Sequence, residues 1–257
     1  MELDGRVAVV TGGTRGVGAG IARAFLEAGA EVVVCARRPP EKPVEVAGRR
    51  AEFRPLDLRS AHEVADFFAG VVETYGRLDV LVNNAGGTPY RLLGEGGTQR
   101  HARIVELNLI APMTASIAAY EYLRAVRGSV VMIGSVSGTR PSPGTAAYGA
   151  AKAGLENLAR SMAVEWAPEV RVNTLVLGMV RTELSHLHYG DEEGLAAVAR
   201  TVPAGRLAEP SDVGNAAVFL ASERAAYVNG ASLLVHGGGE RPAFLDAATV
   251  NKSSEEN

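Results

Sequence analysis

Residues 7–18 read VAVVTGGTRGVG, in which an apolar run leads directly into a glycine-rich turn. Such a continuous apolar run is typical of a strand that is buried on both faces of a parallel sheet. Apolar residues between 21 and 26 then share one face of a helix, which Gly29 ends. A second apolar run follows at 31–35. The order of strand, turn, helix and strand predicts a βαβ unit.

Gly12, Gly16 and Gly18 have the spacing of a turn that binds a dinucleotide. The first glycine permits a tight turn, and the later two let the backbone approach a pyrophosphate and let the helix pack closely on its strand. The N-terminus of the helix would offer free amides to the phosphates. Glycine also occurs in ordinary turns between a strand and a helix. The preceding strand and the following helix favour a dinucleotide site here.

Ala36, Arg37 and Arg38 follow the second predicted strand, where an NAD site places a carboxylate against the ribose 2′-hydroxyl. No carboxylate stands there to repel a 2′-phosphate, and two guanidinium groups can pair with one. Arg15 in the glycine turn adds a third positive charge. The alternative is a basic turn that is only solvated. We expect NADP(H) as the cofactor, ahead of NAD(H).

Strand and helix patterns alternate along the whole chain, without internal repeats or low-complexity linkers. Further strands are predicted at 51–56, 78–82, 129–133, 170–175 and 232–235. The alternation predicts an α/β protein with a doubly wound, Rossmann-type fold, in which helices flank a seven-stranded parallel sheet. We expect a single domain at 1–245 and a polar C-terminal tail at 246–257.

Three segments interrupt this pattern. Residues 39–50 are rich in proline and charge, which predicts a loop or a poor helix. Residues 87–97 contain several glycines and predict either an irregular connection or the entrance to a substrate site. Residues 183–203 mix polar and apolar side chains and predict a mobile flap. His186 and His188 lie in the flap, but without a set of acidic or cysteine partners nearby we expect no metal site.

The composition argues against several classes of protein. A net charge of −3 gives no indication of a nucleic-acid or anionic-membrane partner. The single cysteine, Cys35, excludes an internal disulfide framework and is compatible with a reducing compartment. The first residues lack the apolar segment of a signal peptide, and no apolar run approaches the roughly 18 residues of a membrane span. We therefore expect a soluble cytoplasmic protein.

Tyr148 and Lys152 lie four residues apart in a helical pattern that continues to Trp166, which places both side chains on one helix face. A phenol is a poor acid or base at its ordinary pKa of about 10, but a nearby ammonium group lowers that pKa. Ser135 follows the apolar run at 129–133, at the carboxyl end of a predicted strand. A hydroxyl, a phenol and an ammonium group placed in this way can converge on one small polar group.

Polar residues after other strands complete the predicted site. Residues 83–86, with the sequence NNAG, follow the strand at 78–82, at the edge where open α/β sheets bind ligands. Asp57 follows the third strand and either caps a loop or contacts the adenine edge. Asn108 lies among apolar neighbours in a predicted helix at 101–119, so its amide needs a buried partner. It bonds to a nearby loop or belongs to a proton relay, and the two interpretations are compatible.

These motifs together resemble the short-chain dehydrogenase/reductase family, and the resemblance covers nearly the whole chain. The matching residues are, in chain order, Thr11, Gly12, Gly16, Gly18, Asn83, Asn84, Ala85, Gly86, Asn108, Ser135, Tyr148 and Lys152. Their order and spacing make the resemblance specific. Within the family, the chain looks most like the 3-oxoacyl-carrier-protein reductases and their hydroxysteroid and alcohol dehydrogenase relatives.

The resemblance implies an NAD(P)(H)-dependent oxidoreductase that interconverts a carbonyl and a secondary alcohol by hydride transfer. It implies that Tyr148 acts as acid or base on the substrate oxygen and that Ser135 bonds the same oxygen. Lys152 would lower the pKa of Tyr148 and hold the nicotinamide ribose. Asn108 would anchor a water between Lys152 and solvent. Relatives are commonly tetramers, so we expect a homo-oligomer, either a tetramer or a dimer.

The motifs and the resemblance together predict a set of cofactor-binding residues. These are Gly12, Thr14, Arg15, Gly16, Val17, Gly18, Arg37, Arg38, Asp57, Leu58, Asn84, Ala85, Gly86, Tyr148, Lys152, Gly178, Val180 and Thr182. The chain departs from the family at two positions. Leu177 stands where the family usually has proline, which leaves the loop over the nicotinamide, including Thr182, less constrained. His236 stands where aspartate is common, near the subunit contact of relatives.

Two other functions share these motifs. A redox-sensing protein would keep the fold and the cofactor without turnover, and an epimerase or dehydratase would also keep Tyr148 and Lys152. The intact set of polar residues around Tyr148 favours a reductase or dehydrogenase, because a sensor has no need of a proton donor aligned with a hydride path. We expect the substrate to be an apolar carbonyl or alcohol of medium to large size, or an acyl thioester.

Overall fold

The computed structural model describes residues 1–248, in which strands and helices alternate. The strands are β1 (Val7–Thr11), β2 (Glu31–Ala36), β3 (Glu45–Val46), β4 (Arg49–Arg50), β5 (Glu52–Pro55), β6 (Val80–Asn83), β7 (Ser129–Ser135), β8 (Arg171–Leu177) and β9 (Ser232–Val235). The helices are α1 (Gly16–Glu27), α2 (Ala61–Tyr75), α3 (Thr98–Val105), α4 (Ala111–Val126), α5 (Ala146–Glu165), α6 (His186–Tyr189), α7 (Glu192–Thr201), α8 (Pro210–Ala221) and α9 (Ala243–Ala247). A π-helical turn at Glu106–Ile110 joins α3 to α4, and 3₁₀ turns lie at Val136–Gly138 and Glu223–Ala225.

Seven of the described strands form one sheet in the order β5-β2-β1-β6-β7-β8-β9, and each neighbouring pair is parallel. The chain starts at β1, moves outwards to β2 and β5, and then returns to build the other half from β6 to β9. This reversal makes the carboxyl ends of β1 and β6 the topological switch point of the sheet. Doubly wound sheets bind ligands in the crevice at such a point. The predicted α/β fold with a seven-stranded parallel sheet is confirmed.

The sheet is buried between two layers of helices. On one face, α1 and α8 pack over the central strands and bury Phe25 and Leu220. On the other face, α2, α4 and α5 cover the sheet with side chains that include Phe68 and Leu155. Each such side chain contributes about 1.5–3 kcal/mol when fully buried. Burial on both faces explains why the central strands are continuous apolar runs.

Local capping sets the ends of α2. The Ser60 hydroxyl accepts a hydrogen bond from the Glu63 amide at 3.4 Å and caps the start of the helix. Gly76, with a φ of 75°, ends the helix in the left-handed region, and its amide donates to the Val72 carbonyl oxygen. These caps fix where the chain leaves the helix layer and enters β6.

Residues 39–50 do not follow the prediction of a loop or a poor helix along their whole length. Instead, β3 and β4 pair as a short antiparallel hairpin around Ala47 and Gly48, whose φ angles are 49° and 76°. Positive φ at both turn residues is the geometry of a tight two-residue hairpin. The Arg49 guanidinium donates to two backbone carbonyl oxygens just before β2 and ties the hairpin to the sheet. The prediction is wrong for the hairpin, because the prolines exclude a helix but do not prevent pairing after them.

The predicted flap at 183–203 contains two helices, α6 and α7. The Asp191 carboxylate accepts a hydrogen bond from an amide in the first turn of α7 and caps it. Leu195 and Leu207 belong to a small apolar cluster against which Tyr189 packs. The flap is therefore a folded segment, although many of its side chains are exposed.

The helical stretch Thr98–Val126 is long and apolar enough to cross a membrane, judged by length and composition only. Core helices of soluble proteins pass the same criterion. Ala115, Ala119 and Leu123 on this stretch are fully buried against the sheet. One side of the stretch therefore packs on the sheet, and the stretch by itself is only weak evidence of a membrane span.

The C-terminal end of the predicted domain falls within α9, which continues to Ala247. Most of the predicted polar tail at 246–257 lies outside the described residues. The predicted boundary between domain and tail therefore stays a prediction.

Asp79 is a buried carboxylate beside the start of β1 and provides a test of this packing. It accepts hydrogen bonds from the Val7 amide at 2.9 Å and from the Arg77 guanidinium at 2.6 and 2.8 Å. We expect Asp79→Ala to lower the free energy of unfolding by about 2–3 kcal/mol, because these donors lose their acceptor. Glu121→Ala, which removes the exposed partner of Arg124, is the control and should cost less than about 1 kcal/mol. Equal losses in chemical denaturation would contradict the structural role of Asp79.

Candidate active site

The polar residues predicted for the site meet at the carboxyl edge of the sheet. Thr11 ends β1, Asn83 ends β6, and Ser135 ends β7. Leu177 ends β8. Because these strands are parallel, their last residues lie along one edge, next to the crevice.

The glycine turn after β1 has the geometry that its residues predict. Gly12 and Gly16 have φ angles of 64° and 52°, a region that glycine enters without strain. A Cβ atom at Gly18 would lie 2.4 Å from the Gly12 carbonyl oxygen, so only glycine fits between α1 and the turn. Arg15 precedes α1 in an extended conformation, and the first turn of α1 has the uncharged sequence GVGA. This arrangement fits the pyrophosphate of a dinucleotide.

Thr11 and Asn84 connect the glycine turn to the neighbouring strand end. The Thr11 hydroxyl accepts hydrogen bonds from the amides of Asn84 and Ala85 at 3.0 and 3.1 Å. The Asn84 side-chain amide donates to the carbonyl oxygens of Thr11 and Gly12 at 2.9 and 3.2 Å. These bonds hold the predicted cofactor residues of both loops side by side.

Asn108 lies on the π-helical turn and is fully buried. Its Oδ1 accepts from the Gly87 amide at 2.9 Å, and its Nδ2 donates to the carbonyl oxygens of Gly87 and Ile104 at 3.0 and 2.9 Å. The bond to a nearby loop is thus present, and the water-anchoring role stays a prediction. A Cβ atom at Gly86 would lie 2.5 Å from Asn108 Oδ1 and 3.5 Å from Lys152 Nζ. Gly86 therefore lets this loop approach both side chains.

Tyr148 and Lys152 lie on one face of α5, as predicted, with Lys152 buried and Tyr148 half-buried. Lys152 Nζ lies 5.5 Å from the centre of the Tyr148 ring and donates to the Ile133 carbonyl oxygen at 2.8 Å. The Ser135 hydroxyl lies close enough to the Tyr148 phenol to lower its pKa, and it accepts a hydrogen bond from the Ser137 amide at 3.2 Å. The structure thus brings together three of the predicted catalytic side chains.

Burial dominates the ionisation of this group. It raises the pKa of Tyr148, the hydrogen bond with Ser135 lowers that pKa in part, and Tyr189 raises it. Burial also lowers the pKa of Lys152 from 10.5 to about 8. Lys152 donates to the Ile133 carbonyl oxygen, and its predicted lowering of the Tyr148 pKa stays a prediction. In this structure burial of the phenol prevails, and the net shift of its pKa is upward. Tyr148 therefore holds its proton at neutral pH.

Arg37 and Arg38 are exposed after β2, and Asp57 follows the neighbouring β5. The Asp57 carboxylate accepts from the Arg59 amide at 3.1 Å and forms an ion pair with the Arg59 guanidinium at 2.5 Å. These contacts with Arg59, together with a smaller effect of Arg37, lower the pKa of Asp57 to about 2. Asp57 therefore caps its own loop, and a contact with adenine stays a prediction.

Strand pairing holds the loop after β8. Leu177 is buried in the core, and the Gly178 amide donates to the Val235 carbonyl oxygen at 3.0 Å. Val180 forms a parallel bridge with Ala208. A proline at position 177 would restrict the backbone of this loop. In this chain, hydrogen bonds to β9 on one side and the bridge to Ala208 on the other restrict it instead.

The segment after this loop reaches the glycine turn. A Cβ atom at Gly16 would lie 3.4 Å from Thr182 Cγ2, which brings this predicted cofactor residue to the turn. The Glu183 carboxylate accepts a hydrogen bond from the Gly16 amide at 3.1 Å. Glu183 has no sequence signal, because its contact joins residues that are 167 positions apart.

The remaining predicted residues lie along the same edge. Thr14 and Val17 are partly buried in the glycine turn and at the start of α1, and Leu58 packs partly against the helix layer that contains α2. His236 follows β9, and its Cβ would lie 2.8 Å from a Cβ at Gly178. The predicted effect of His236 on assembly stays a prediction.

Tyr189 on α6 is a second residue that sequence patterns do not indicate. It lies close enough to Tyr148 to raise the pKa of that phenol. Burial and Glu240 raise the pKa of Tyr189 itself, and Arg140 lowers it. Arg140 and Glu240 form an ion pair at 2.5 Å. The flap, the loop after β7 and the segment after β9 therefore meet on one side of Tyr148.

Known proteins match nearly the whole chain. A family model described as enoyl-(acyl carrier protein) reductase matches residues 12–240. The 3-oxoacyl-[acyl-carrier-protein] reductase of Vibrio cholerae is 36% identical over 242 residues, which cover 93% of this chain and 98% of that protein. The L-fucose dehydrogenase of Oryctolagus cuniculus is 37% identical over 243 residues, which cover 92% of this chain and 85% of that protein.

A solved structure has the same fold. The ligand-free aldohexose dehydrogenase of Thermoplasma acidophilum superposes with a TM-score of 0.86 at 28% identity, covering 92% of this chain and 94% of that chain. Together with the sequence matches, this superposition confirms the family resemblance that the motifs predict.

Lys152 allows a test of the buried site that needs no substrate. Burial lowers its pKa from 10.5 to about 8, so the unfolded chain binds more protons than the folded chain between these two values. We expect the contribution of Lys152 to the free energy of unfolding to rise with pH across this window, by up to about 3 kcal/mol. Lys152→Met should lose this rise when chemical denaturation is compared at pH 8 and pH 10.

The titration can also be followed directly by NMR. The chain contains three lysines, Lys42, Lys152 and Lys252, so lysine-labelled protein gives a simple spectrum. The signal that disappears in Lys152→Met should titrate near pH 8, in agreement with its burial. A midpoint at the ordinary lysine value would contradict this account of the site.

Proposed function

The chain belongs to the short-chain dehydrogenase/reductase family, and on that premise we propose that it interconverts a carbonyl and a secondary alcohol with NADP(H). The family consists of oxidoreductases that bind a nicotinamide cofactor, and the chain is an enzyme of this kind. The observation that carries the proposal is the group formed by Ser135, Tyr148 and Lys152 beside the crevice of the sheet.

Tyr148 is the proposed acid in the direction of reduction. Burial raises its pKa, so the phenol keeps a proton that it can donate to a substrate carbonyl oxygen. The Ser135 hydroxyl lies beside the Tyr148 phenol and can donate to the same oxygen, which would stabilise the negative charge that develops there. In the direction of oxidation, the phenolate accepts the proton of the alcohol, and this direction gains from higher pH.

We expect Lys152 and the loop at 84–86 to form the binding site of the nicotinamide ribose. The bond from Lys152 to the Ile133 carbonyl oxygen fixes the ammonium group between α5 and β7. Asn108 holds the adjacent backbone of Gly87 in place. When bound, the cofactor supplies or accepts the hydride at the substrate carbon. The residues of the protein orient the substrate and transfer one proton.

Arg37 and Arg38 are the proposed determinants of a preference for NADP(H). Both are exposed at the end of β2, across from Asp57. The Asp57 carboxylate is occupied by Arg59, which reduces its repulsion of an added phosphate. Guanidinium groups bind phosphate through paired hydrogen bonds.

We propose an apolar carbonyl or alcohol of medium to large size, or an acyl thioester, as the substrate. Tyr90 and Leu93 are exposed on the loop at 87–97. The Arg91 amide donates to the Gly144 carbonyl oxygen at 2.6 Å, which holds this loop at the start of α5. The relative from Vibrio cholerae is a 3-oxoacyl-[acyl-carrier-protein] reductase, which supports the thioester class.

The assembly and location are proposed from the family resemblance. Exposed apolar residues such as Ile117 on α4 and Val164 on α5 support a homo-oligomer, a tetramer or a dimer. A cytoplasmic location is consistent with one buried, unpaired cysteine at position 35.

Two alternatives have less support. A redox sensor without turnover has no need of Ser135 and Lys152 placed beside the Tyr148 phenol. An epimerase or dehydratase would also keep Tyr148 and Lys152, and the names of the matching relatives favour a dehydrogenase or reductase instead.

Tyr148→Phe tests the proposed acid. We expect turnover to fall by about 10²–10⁴-fold, because the phenol proton is lost while the ring remains. Cofactor binding, measured by NADPH fluorescence, should change little. Tyr227→Phe, at a fully exposed position, is the matched control and should keep its rate. A Tyr148→Phe enzyme with the rate of the wild type would end the catalytic assignment.

The double variant Arg37→Ala/Arg38→Ala tests the cofactor preference. We expect NADPH binding to weaken by about 10- to 100-fold and NADH binding by less than about threefold, because only NADPH loses charged hydrogen bonds. Arg100→Ala/Arg103→Ala removes the same charge from exposed positions on α3 and controls for net charge. Equal losses for both cofactors would refute a contact with the 2′-phosphate.

A further inference from the structure

Glu183 places a carboxylate at the start of α1. Its Oε2 accepts a hydrogen bond from the Gly16 amide at 3.1 Å. The neighbouring Thr182 packs on the same glycine, with Cγ2 lying 3.4 Å from the position of a Cβ atom there. The first turn of α1 has no charged side chain of its own, so Glu183 supplies an anion to this helix end from a distant part of the chain.

A fixed turn of the backbone positions this carboxylate. The Thr182 amide donates to the Ser185 hydroxyl at 2.8 Å, and the Leu184 amide donates to the Thr182 hydroxyl at 3.3 Å. Just before the turn, the Arg181 amide donates to the Ala208 carbonyl oxygen at 2.8 Å. The contact with Gly16 is therefore built into the segment that enters the flap.

We propose that Glu183 is an internal competitor for the Gly16 amide, which a dinucleotide phosphate displaces when it binds. The displacement also detaches the start of the flap at 183–203 from the glycine turn. This inference rests on the proposed function, because it takes the glycine turn as the cofactor site.

The competition follows from charge and from the number of donors. One amide N–H donates one hydrogen bond, and a phosphate oxygen and a carboxylate oxygen cannot both accept it at full strength. Two anions at the same helix end also repel each other. The measured affinity for cofactor is then the intrinsic affinity multiplied by the fraction of molecules in which Glu183 has left the Gly16 amide.

Titration of NADPH into the full-length protein tests this proposal. Glu183→Gln removes the charge at nearly constant shape, and Glu183→Ala removes the acceptor. We expect both variants to bind NADPH about three- to tenfold more tightly than the wild type, as when a competent fraction of about 0.1–0.3 rises towards one. The gain of Glu183→Gln should shrink at high salt, because screening weakens the repulsion.

Glu193→Gln is the matched control. Glu193 is an exposed carboxylate in the first turn of α7, within the same flap. It should change NADPH affinity by less than twofold, and a gain equal to that of Glu183→Gln would overturn the proposal by showing a net-charge effect. Thermal unfolding of each variant confirms that the compared proteins are folded.

The outcomes separate this inference from the proposed function. If the wild type binds NADPH and both Glu183 variants bind it equally or less tightly, the competition is refuted and the enzyme assignment stands. If the wild type binds neither NADPH nor NADH, the proposed function fails and the inference fails with it.

Discussion

The close approach of backbone segments at the end of β1 is the constraint on which the site depends. There is no room for a Cβ atom at Gly18 between α1 and the turn. The Thr11 hydroxyl accepts hydrogen bonds from two backbone amides of the neighbouring loop. The same loop continues to Gly87, whose amide and carbonyl groups bond to the Asn108 side chain. A Cβ atom at Gly86 would lie 3.5 Å from Lys152 Nζ, so glycine lets the loop pass close to α5. Hydrogen bonds and close packing thus fix the loop between the glycine turn and the π-helical turn.

The ionisable groups of the site differ in burial, and their charge states differ accordingly. On α5, burial raises the pKa of Tyr148 and lowers the pKa of Lys152. The phenol therefore loses its proton less readily than a phenol in water, and the ammonium group loses its proton more readily. At the rim, Arg37 and Arg38 stay exposed, where a guanidinium group keeps its charge and can adjust to a phosphate. The same sheet edge therefore presents a buried phenol at one side and two exposed guanidinium groups at the other.

The sequence predicts the parts of this structure that depend on local patterns. The parallel strands, the glycine turn and the pairing of Tyr148 with Lys152 follow from periodicity and spacing. The hairpin of β3 and β4, the bond from Lys152 to Ile133 and the position of Glu183 do not, because each depends on contacts between distant segments. The net pKa shift of Tyr148 does not follow from local patterns either, because burial is its largest cause. Desolvation depends on how the flap and the sheet enclose the phenol, and no spacing of residues encodes that enclosure.

The π-helical turn between α3 and α4 has a consequence for how this protein can vary. It inserts one extra residue, which rotates everything before it by about 100° relative to a continuous helix. That rotation sets Asn108 against Gly87 while Leu123, further along, stays on the sheet. A deletion or insertion of one residue at 106–110 would rotate the face that carries Asn108 relative to the face that carries Leu123. No residue of α3 itself is buried. A fixed number of residues at 106–110 therefore keeps Asn108 at the loop and Leu123 on the sheet at the same time.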